Sequence, residues 1–293
     1  MSKIMVTGAT GRLGKQVVEA LLEKTDARNI SILVRERSKA EKLQAQGVNV
    51  FTGDYNDYGS LVAAFTGIEK LYLVSSNDLE NRFEQHQNVI DAAKEASVKH
   101  IIYTSFQRKT ETLGSPLSVV SQSHLDTEAA IVASGLTYTI LKHALYADII
   151  PDFAGHQVLE NQTLLFPAGE GKTAFATSGD MAAGGAAVLL DDSGKFGNRA
   201  VDIAGSQVIS WAEIAAIISK ITDKQIRYVS PEMSSYKEAL TQAQVPPVFV
   251  NMLAGFAQAT AEGEFDGVTG ELESLIGREP VSVAEYLKTV YSK

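Results

Sequence analysis

No cysteine occurs among the 293 residues. That excludes disulfides, thiol nucleophiles and any zinc site built on thiolates, while fitting any compartment. Positive charge is scarce: 26 Lys and Arg stand against 35 Asp and Glu, for a formal net charge of −9. Such a surface repels nucleic acid and anionic membrane on average, although a local basic pocket stays open. No run of about 18 apolar residues occurs, and the opening MSKIMVTGAT has no apolar stretch of signal-peptide length. A Gly-x-Ser-x-Gly elbow and a His-Glu-x-x-His pair are missing, so hydrolase and zinc readings lack support, and the first glycine-rich turn is not a P-loop because no Gly-Lys-Ser/Thr follows it. The expectation is a cytoplasmic protein without a metal, monomeric or homodimeric. Its partner is a small molecule, with no direct nucleic-acid contact and no membrane insertion.

What is present is an alternation. Short β-branched or apolar runs at 3–7, 29–35, 48–53, 70–76, 99–105 and 136–142 predict six strands. Between them, a helical stripe of Leu13, Val17, Leu21 and Leu22 follows the first strand, and helical patterns fall at 39–46, 57–65, 82–96 and 121–134. Strands nearly continuous in apolar residues and separated by helices predict a parallel sheet covered on both faces. The expected class is α/β: a doubly wound parallel sheet of the Rossmann kind with a smaller mixed C-terminal lobe. The division predicted is a dinucleotide domain over 1–145 and a substrate lobe over 146–293, partly interleaved with the sheet. In that lobe, 163–166 and 199–205 read as strands and 181–190 and 211–221 as helices, the last with Ser210 as N-cap. Pro246-Pro247 and 262–270 read as loop.

Gly8-Ala9-Thr10-Gly11-Arg12-Leu13-Gly14 follows the first strand and opens the first helix. Glycines permit a tight turn and close approach of backbone amides to a pyrophosphate, and the helix amino end adds partial positive charge. At the end of the second strand, NAD-binding folds place an acid to accept both ribose hydroxyls. Here the strand ends Val34-Arg35, with Lys39 one turn on. Arg35 and Lys39, with Arg12 near the pyrophosphate turn, can form a pocket for a 2′-phosphate, which favours NADP over NAD. Glu36 is the complication, since its carboxylate can serve a ribose instead. Asp54-Tyr55 sits past the third strand, where a carboxylate can meet the adenine. Ser75-Ser76 and Thr104-Ser105 follow strands four and five, at the carboxyl edge where open α/β sheets bind ligands.

A short-chain reductase uses Tyr-x-x-x-Lys on the helix after strand five. The one match, Tyr138–Lys142, lies in the predicted sixth strand, where four residues span about 13 Å rather than the roughly 6 Å of a helix. On the helix itself, His124 stands where the lysine is expected and Val120 where the tyrosine is. His124, His143 at the end of strand six and Tyr146 are therefore the candidate catalytic or substrate-contacting residues. His86, His100 and His156 have no metal spacing and read as structural. Without a phenolic acid, a quinone is a suitable hydride acceptor, because its oxygens can take a proton from solvent or a histidine.

The segments VTGATGRLG (6–14), ILVRERSKA (32–40), GDYND (53–57), EKLYLVSS (69–76), QHQNVIDAAK (85–94), YTS (103–105), HLDTE (124–128) and SGLTYTILKHALYAD (134–148) together resemble the NmrA-like branch of atypical short-chain dehydrogenases. Within it, the likeness is to bacterial NADPH-dependent quinone oxidoreductases of the second type. The resemblance implies NADPH held by Gly8, Thr10, Gly11, Arg12, Leu13, Gly14 and Arg35, with Asp54 and Ser75 along the adenosine and ribose path. It implies a quinone over the nicotinamide. One departure is that relatives carry an Asn-Gly-Trp-Tyr-like run where this chain has His143-Ala144-Leu145-Tyr146. A second expectation of another class is an NADP-sensing regulatory protein without turnover. An epimerase or sugar-nucleotide reductase would need a tyrosine at Val120.

Overall fold

The computed structural model describes residues 3–110, 115–155 and 157–292, and the side chain of Val119 is not described. The chain divides into two compact units: Met1–Phe106, Gln122–His143 and Ser178–Ile203 form one, and the remaining three segments form the other.

The first unit is the parallel sheet. Its strands are β1 (Ile4–Val6), β2 (Ile30–Val34), β3 (Asn49–Thr52), β4 (Lys70–Leu73), β5 (His100–Phe106) and β6 (Thr137–His143). The order is β3-β2-β1-β4-β5-β6, and Arg199–Ile203 adds a seventh strand beside β6. Every pairing is parallel. Each residue of β1, β2 and β4 is buried, as a sheet covered on both faces requires. The strand order reverses between β1 and β4, which makes the carboxyl ends of those strands the switch point at which such sheets bind ligands.

Between the strands run α1 (Arg12–Leu22), α2 (Glu41–Ala45), α3 (Tyr58–Phe65), α4 (Arg82–Glu95) and α5 (Ser118–Ala133). On one face Leu61, Phe65, Val89 and Ile90 pack with Met5, Leu71, Leu73 and Ile101. On the other, α1 packs against the helix Ser178–Leu190. That helix is Gly- and Ala-rich for a reason: a Cβ on Gly185 would lie 2.5 Å from the Tyr72 hydroxyl. Its carboxyl end is closed by the buried Lys70, whose Nζ donates to the carbonyls of Leu189 (2.9 Å) and Asp191 (2.8 Å) and to the Asp192 carboxylate (2.8 Å). A cation at a helix carboxyl end also meets the negative pole of its dipole.

The second unit is built on two small sheets. Thr163–Leu165 pairs in parallel with Arg227–Val229, and Lys172–Thr173 antiparallel with Ile209–Ser210. Phe166 and Trp211 meet with ring centroids 4.4 Å apart, and Phe153 and Phe256 extend this aromatic core. Ser210 caps Trp211–Thr222 through a capping box with Glu213, as its position predicts.

Three local expectations are corrected. Residues 39–46 do not form one helix: a 3₁₀ turn, Arg37–Ala40, precedes α2. Pro247 does not lie in a loop but opens the helix Pro247–Ala261, where its missing N–H has no intrahelical acceptor to lose. The strand expected in the C-terminal lobe at 199–205 instead joins the main sheet of the first unit, as Arg199–Ile203. No helix among the described residues is long and apolar enough to cross a membrane.

Candidate functional site

The carboxyl ends of β1 and β2 gather eight of the fourteen predicted cofactor-binding residues. Gly8 turns the chain out of β1 with φ +60°, a value that disfavours side chains. The Gly11 amide donates back to the Gly8 carbonyl at 2.9 Å, closing the turn. Gly11 is the N-cap of α1 and offers no side-chain acceptor, and the first turn of α1 holds no acid. The amides at this helix end therefore face outward with their partial positive charge uncompensated. Gly14 sets how closely α1 approaches the turn, since a Cβ there would lie 2.4 Å from the Gly8 carbonyl oxygen. Gly8, Thr10, Gly11 and Arg12 are exposed at this edge, whereas Leu13 is buried and contributes through its backbone.

The corner after β2 carries cations in different states. Arg35 is exposed, with no hydrogen bond or ion pair among the described residues, and lies within electrostatic reach of Glu36 and Tyr55. Lys39 Nζ contacts Glu36 Oε1 at 2.6 Å. Arg37 donates to the Val50 carbonyl at 3.1 Å. Asp54 accepts from the backbone and side chain of Asn56 through Oδ1, both at 2.9 Å, and its Oδ2 has no hydrogen bond among the described residues. Tyr55 braces the switch point: its hydroxyl donates to the Val74 carbonyl at 2.9 Å and meets Thr7 Oγ1 at 2.5 Å. Burial pushes the Tyr55 phenol above its ordinary range, so it stays neutral.

After β4 the two serines part ways. Ser76 is bound on all sides: its amide donates to His86 Nε2 (2.9 Å), its carbonyl accepts from Arg82 Nε (2.7 Å) and its hydroxyl donates to Gln85 Oε1 (2.5 Å). Among the described residues Ser75 is tied by its amide, which donates to Thr104 Oγ1 at 2.9 Å, and its hydroxyl has no hydrogen bond. Thr104 and Ser105 are both buried, Thr104 within this loop contact and Ser105 on Glu128. The sequence motifs do not single out the anchors Arg82, Gln85 and His86. Their signal is a set of polar side chains on the buried face of α4.

His124, on α5, is 5% exposed. Its Nε2 lies 3.2 Å from Arg82 and its Nδ1 2.7 Å from the Tyr103 hydroxyl. A guanidinium only donates, so Nε2 is an acceptor and Nδ1 carries the proton. His124 thus closes a buried relay from Tyr103 to Arg82 and on to the Ser76 loop. His143 closes β6 and is 3% exposed, and burial pulls its imidazole down to about 3. Tyr146 follows in the second unit, half-buried and bridged in parallel to Ala176. Tyr138 and Lys142 both lie in β6 and Val120 in α5. His86 and His100 bond to Thr127 and Thr139, and His156 lies outside the described residues. No metal-binding cluster occurs among the described residues.

These buried imidazoles have a measurable consequence. His86 and His143 are each pulled down to about 3, in both cases chiefly by burial. In the unfolded chain they protonate near the ordinary value of about 6.5. On acidification the unfolded state therefore takes up protons first, and stability falls as pH drops from about 6.5 toward about 3. Each should cost about 2 kcal/mol between about pH 6.5 and pH 5. Urea midpoints measured across that interval check this, and a flat profile would contradict it.

Residues 1–288 match the NmrA-like family. Over 289 residues, 99% of each chain, the sequence is 35% identical to Quinone oxidoreductase 2 of Escherichia coli (strain K12). The crystal structure of an NADPH-dependent quinone oxidoreductase from Escherichia coli, complexed with NADPH, superposes with a TM-score of 0.93 at 34% identity, covering 99% of this chain and 100% of that one. A Citrobacter sp. triphenylmethane reductase complexed with NADP(H) superposes with a TM-score of 0.90 at 34% identity, covering 98% and 99%. The negative transcriptional regulator NmrA, complexed with NAD, shares the fold at 16% identity and a TM-score of 0.76, covering 99% and 95%.

Proposed function

Because the chain belongs to the NmrA-like family, we propose that it reduces quinones with NADPH and does so without a Tyr-Lys catalytic pair. It is an oxidoreductase that uses NADPH, related to quinone and triphenylmethane reductases. The observation that carries the cofactor reading is the exposed glycine cradle at the uncapped end of α1 with the unpaired Arg35 beside it. The residues fit the group. Gly8, Thr10, Gly11, Arg12, Leu13 and Gly14 hold the pyrophosphate, Arg35 takes the 2′-phosphate, and Asp54 and Ser75 line the adenosine and ribose.

When bound, NADPH supplies the hydride. The protein's part is positioning: the Ser76 anchors hold Ser75 still, and Tyr55 locks the ends of β1 and β4 together. Holding two reactants in register can supply most of the acceleration when the acceptor is reactive. Neither candidate histidine is poised as an acid. His143 is neutral at physiological pH, and both ring nitrogens of His124 face protein groups. The single proton that must join the hydride to complete the hydroquinone accordingly comes from water, and His124 acts as a positioning residue. Tyr146 is proposed as a substrate contact.

The test is turnover. The chain mixed with NADPH and a panel of small quinones should consume reduced nicotinamide absorbance well above the blank. Binding of NADPH with no consumption across the panel would overturn the quinone reading and leave the sensor alternative.

A further inference from the structure

The corner after β2 sets two opposed signals side by side. An acid at this corner favours the ribose hydroxyls of NADH, and a cation favours the 2′-phosphate of NADPH. Here Arg35 and Glu36 are neighbours, and the next turn decides between them. Glu36 is the N-cap of the 3₁₀ turn Arg37–Ala40, yet its carboxylate caps no amide. The turn is pinned from below by Ala40, which is 1% exposed. That geometry brings Lys39 back over Glu36, where Nζ and Oε1 meet at 2.6 Å. Arg37 is held on the Val50 carbonyl. The net result is an exposed carboxylate paired with the Lys39 ammonium, and one guanidinium, that of Arg35, with no hydrogen bond or ion pair among the described residues.

We infer that Lys39 sets NADPH preference indirectly, by masking the Glu36 carboxylate, so that Arg35 alone reads the 2′-phosphate. This rests on the NADPH reading above and refines how that site tells the two nucleotides apart. Lys39 is on this account a specificity-determining residue that acts through Glu36. The lowered Glu36 carboxyl, held down first by its bond to Lys39, agrees with a pair that persists across neutral pH.

A double-mutant cycle read by calorimetry tests it, with NADPH and NADH titrated separately into the full chain. Lys39→Met should weaken NADPH roughly three- to fivefold at low salt, the scale of one exposed charge interaction, while NADH tightens. Glu36→Gln added to Lys39→Met should bring NADPH affinity back to within about twofold of the unsubstituted chain, with Glu36→Gln alone completing the cycle. A double variant as weak as Lys39→Met would mean that Lys39 grips the phosphate directly, and would overturn the inference. So would a Lys39→Met variant indistinguishable from the unsubstituted chain. An unsubstituted chain that binds no NADPH would overturn the cofactor reading itself, and the masking role with it.

Discussion

Replacing Gly14 by alanine should disable binding of both nicotinamide nucleotides at once. The added Cβ would sit 2.4 Å from the Gly8 carbonyl oxygen, 2.7 Å from its carbon and 3.0 Å from the Ala9 nitrogen. All three are backbone atoms, so no side chain can rotate away, and carbon contacts relax only beyond about 3.5 Å. Either α1 retreats by about an ångström or the turn opens and loses the 2.9 Å bond from the Gly11 amide to the Gly8 carbonyl. Overpacking of this kind costs about 1–3 kcal/mol of stability. A shift of that size at the phosphate cradle should lower turnover about 100-fold, equally with NADPH and NADH. Urea midpoints and calorimetry with both nucleotides check the two parts. Unchanged affinity in a folded variant would show that the helix end does not hold the pyrophosphate.

Arg35→Ala should separate the two nucleotides instead. A charge-assisted bond to phosphate contributes about 1.5–3 kcal/mol, so NADPH affinity should fall roughly 10- to 150-fold while NADH affinity barely moves. No neighbour can take over, because Lys39 is paired with Glu36 and Arg37 with the Val50 carbonyl. The measurement is the ratio of dissociation constants by calorimetry. Equal loss for both nucleotides would show that this guanidinium reads no phosphate.

The sheet was legible in the sequence because its central strands are buried on both faces, so β2 reads Ile-Ser-Ile-Leu-Val with nothing to place in water. The glycine turn was legible for the same kind of reason: its residue types answer a local steric demand. What the sequence concealed is non-local. Nothing in the dipeptide Ser75-Ser76 distinguishes its members. Only the arrival of Arg82, Gln85 and His86 from α4 commits one and leaves the other. The position of His124 in the helical pattern makes it a candidate catalytic residue, but no sequence signal shows that Tyr103, a strand residue from β5, meets its Nδ1. Helices Met233–Gln242, Glu271–Ile276 and Val283–Tyr291 went unread because short amphipathic segments take their stability from packing rather than propensity.

The seventh strand, Arg199–Ile203, pairs along β6 from Thr139 to His143. During synthesis, then, β6 leaves the ribosome some sixty residues (by chain position) before its neighbour does. Through that interval its outer edge is an unpaired template, the kind that recruits foreign strands. A nascent chain stalled short of Arg199 would be an aggregation hazard even though its nucleotide cradle had already been made.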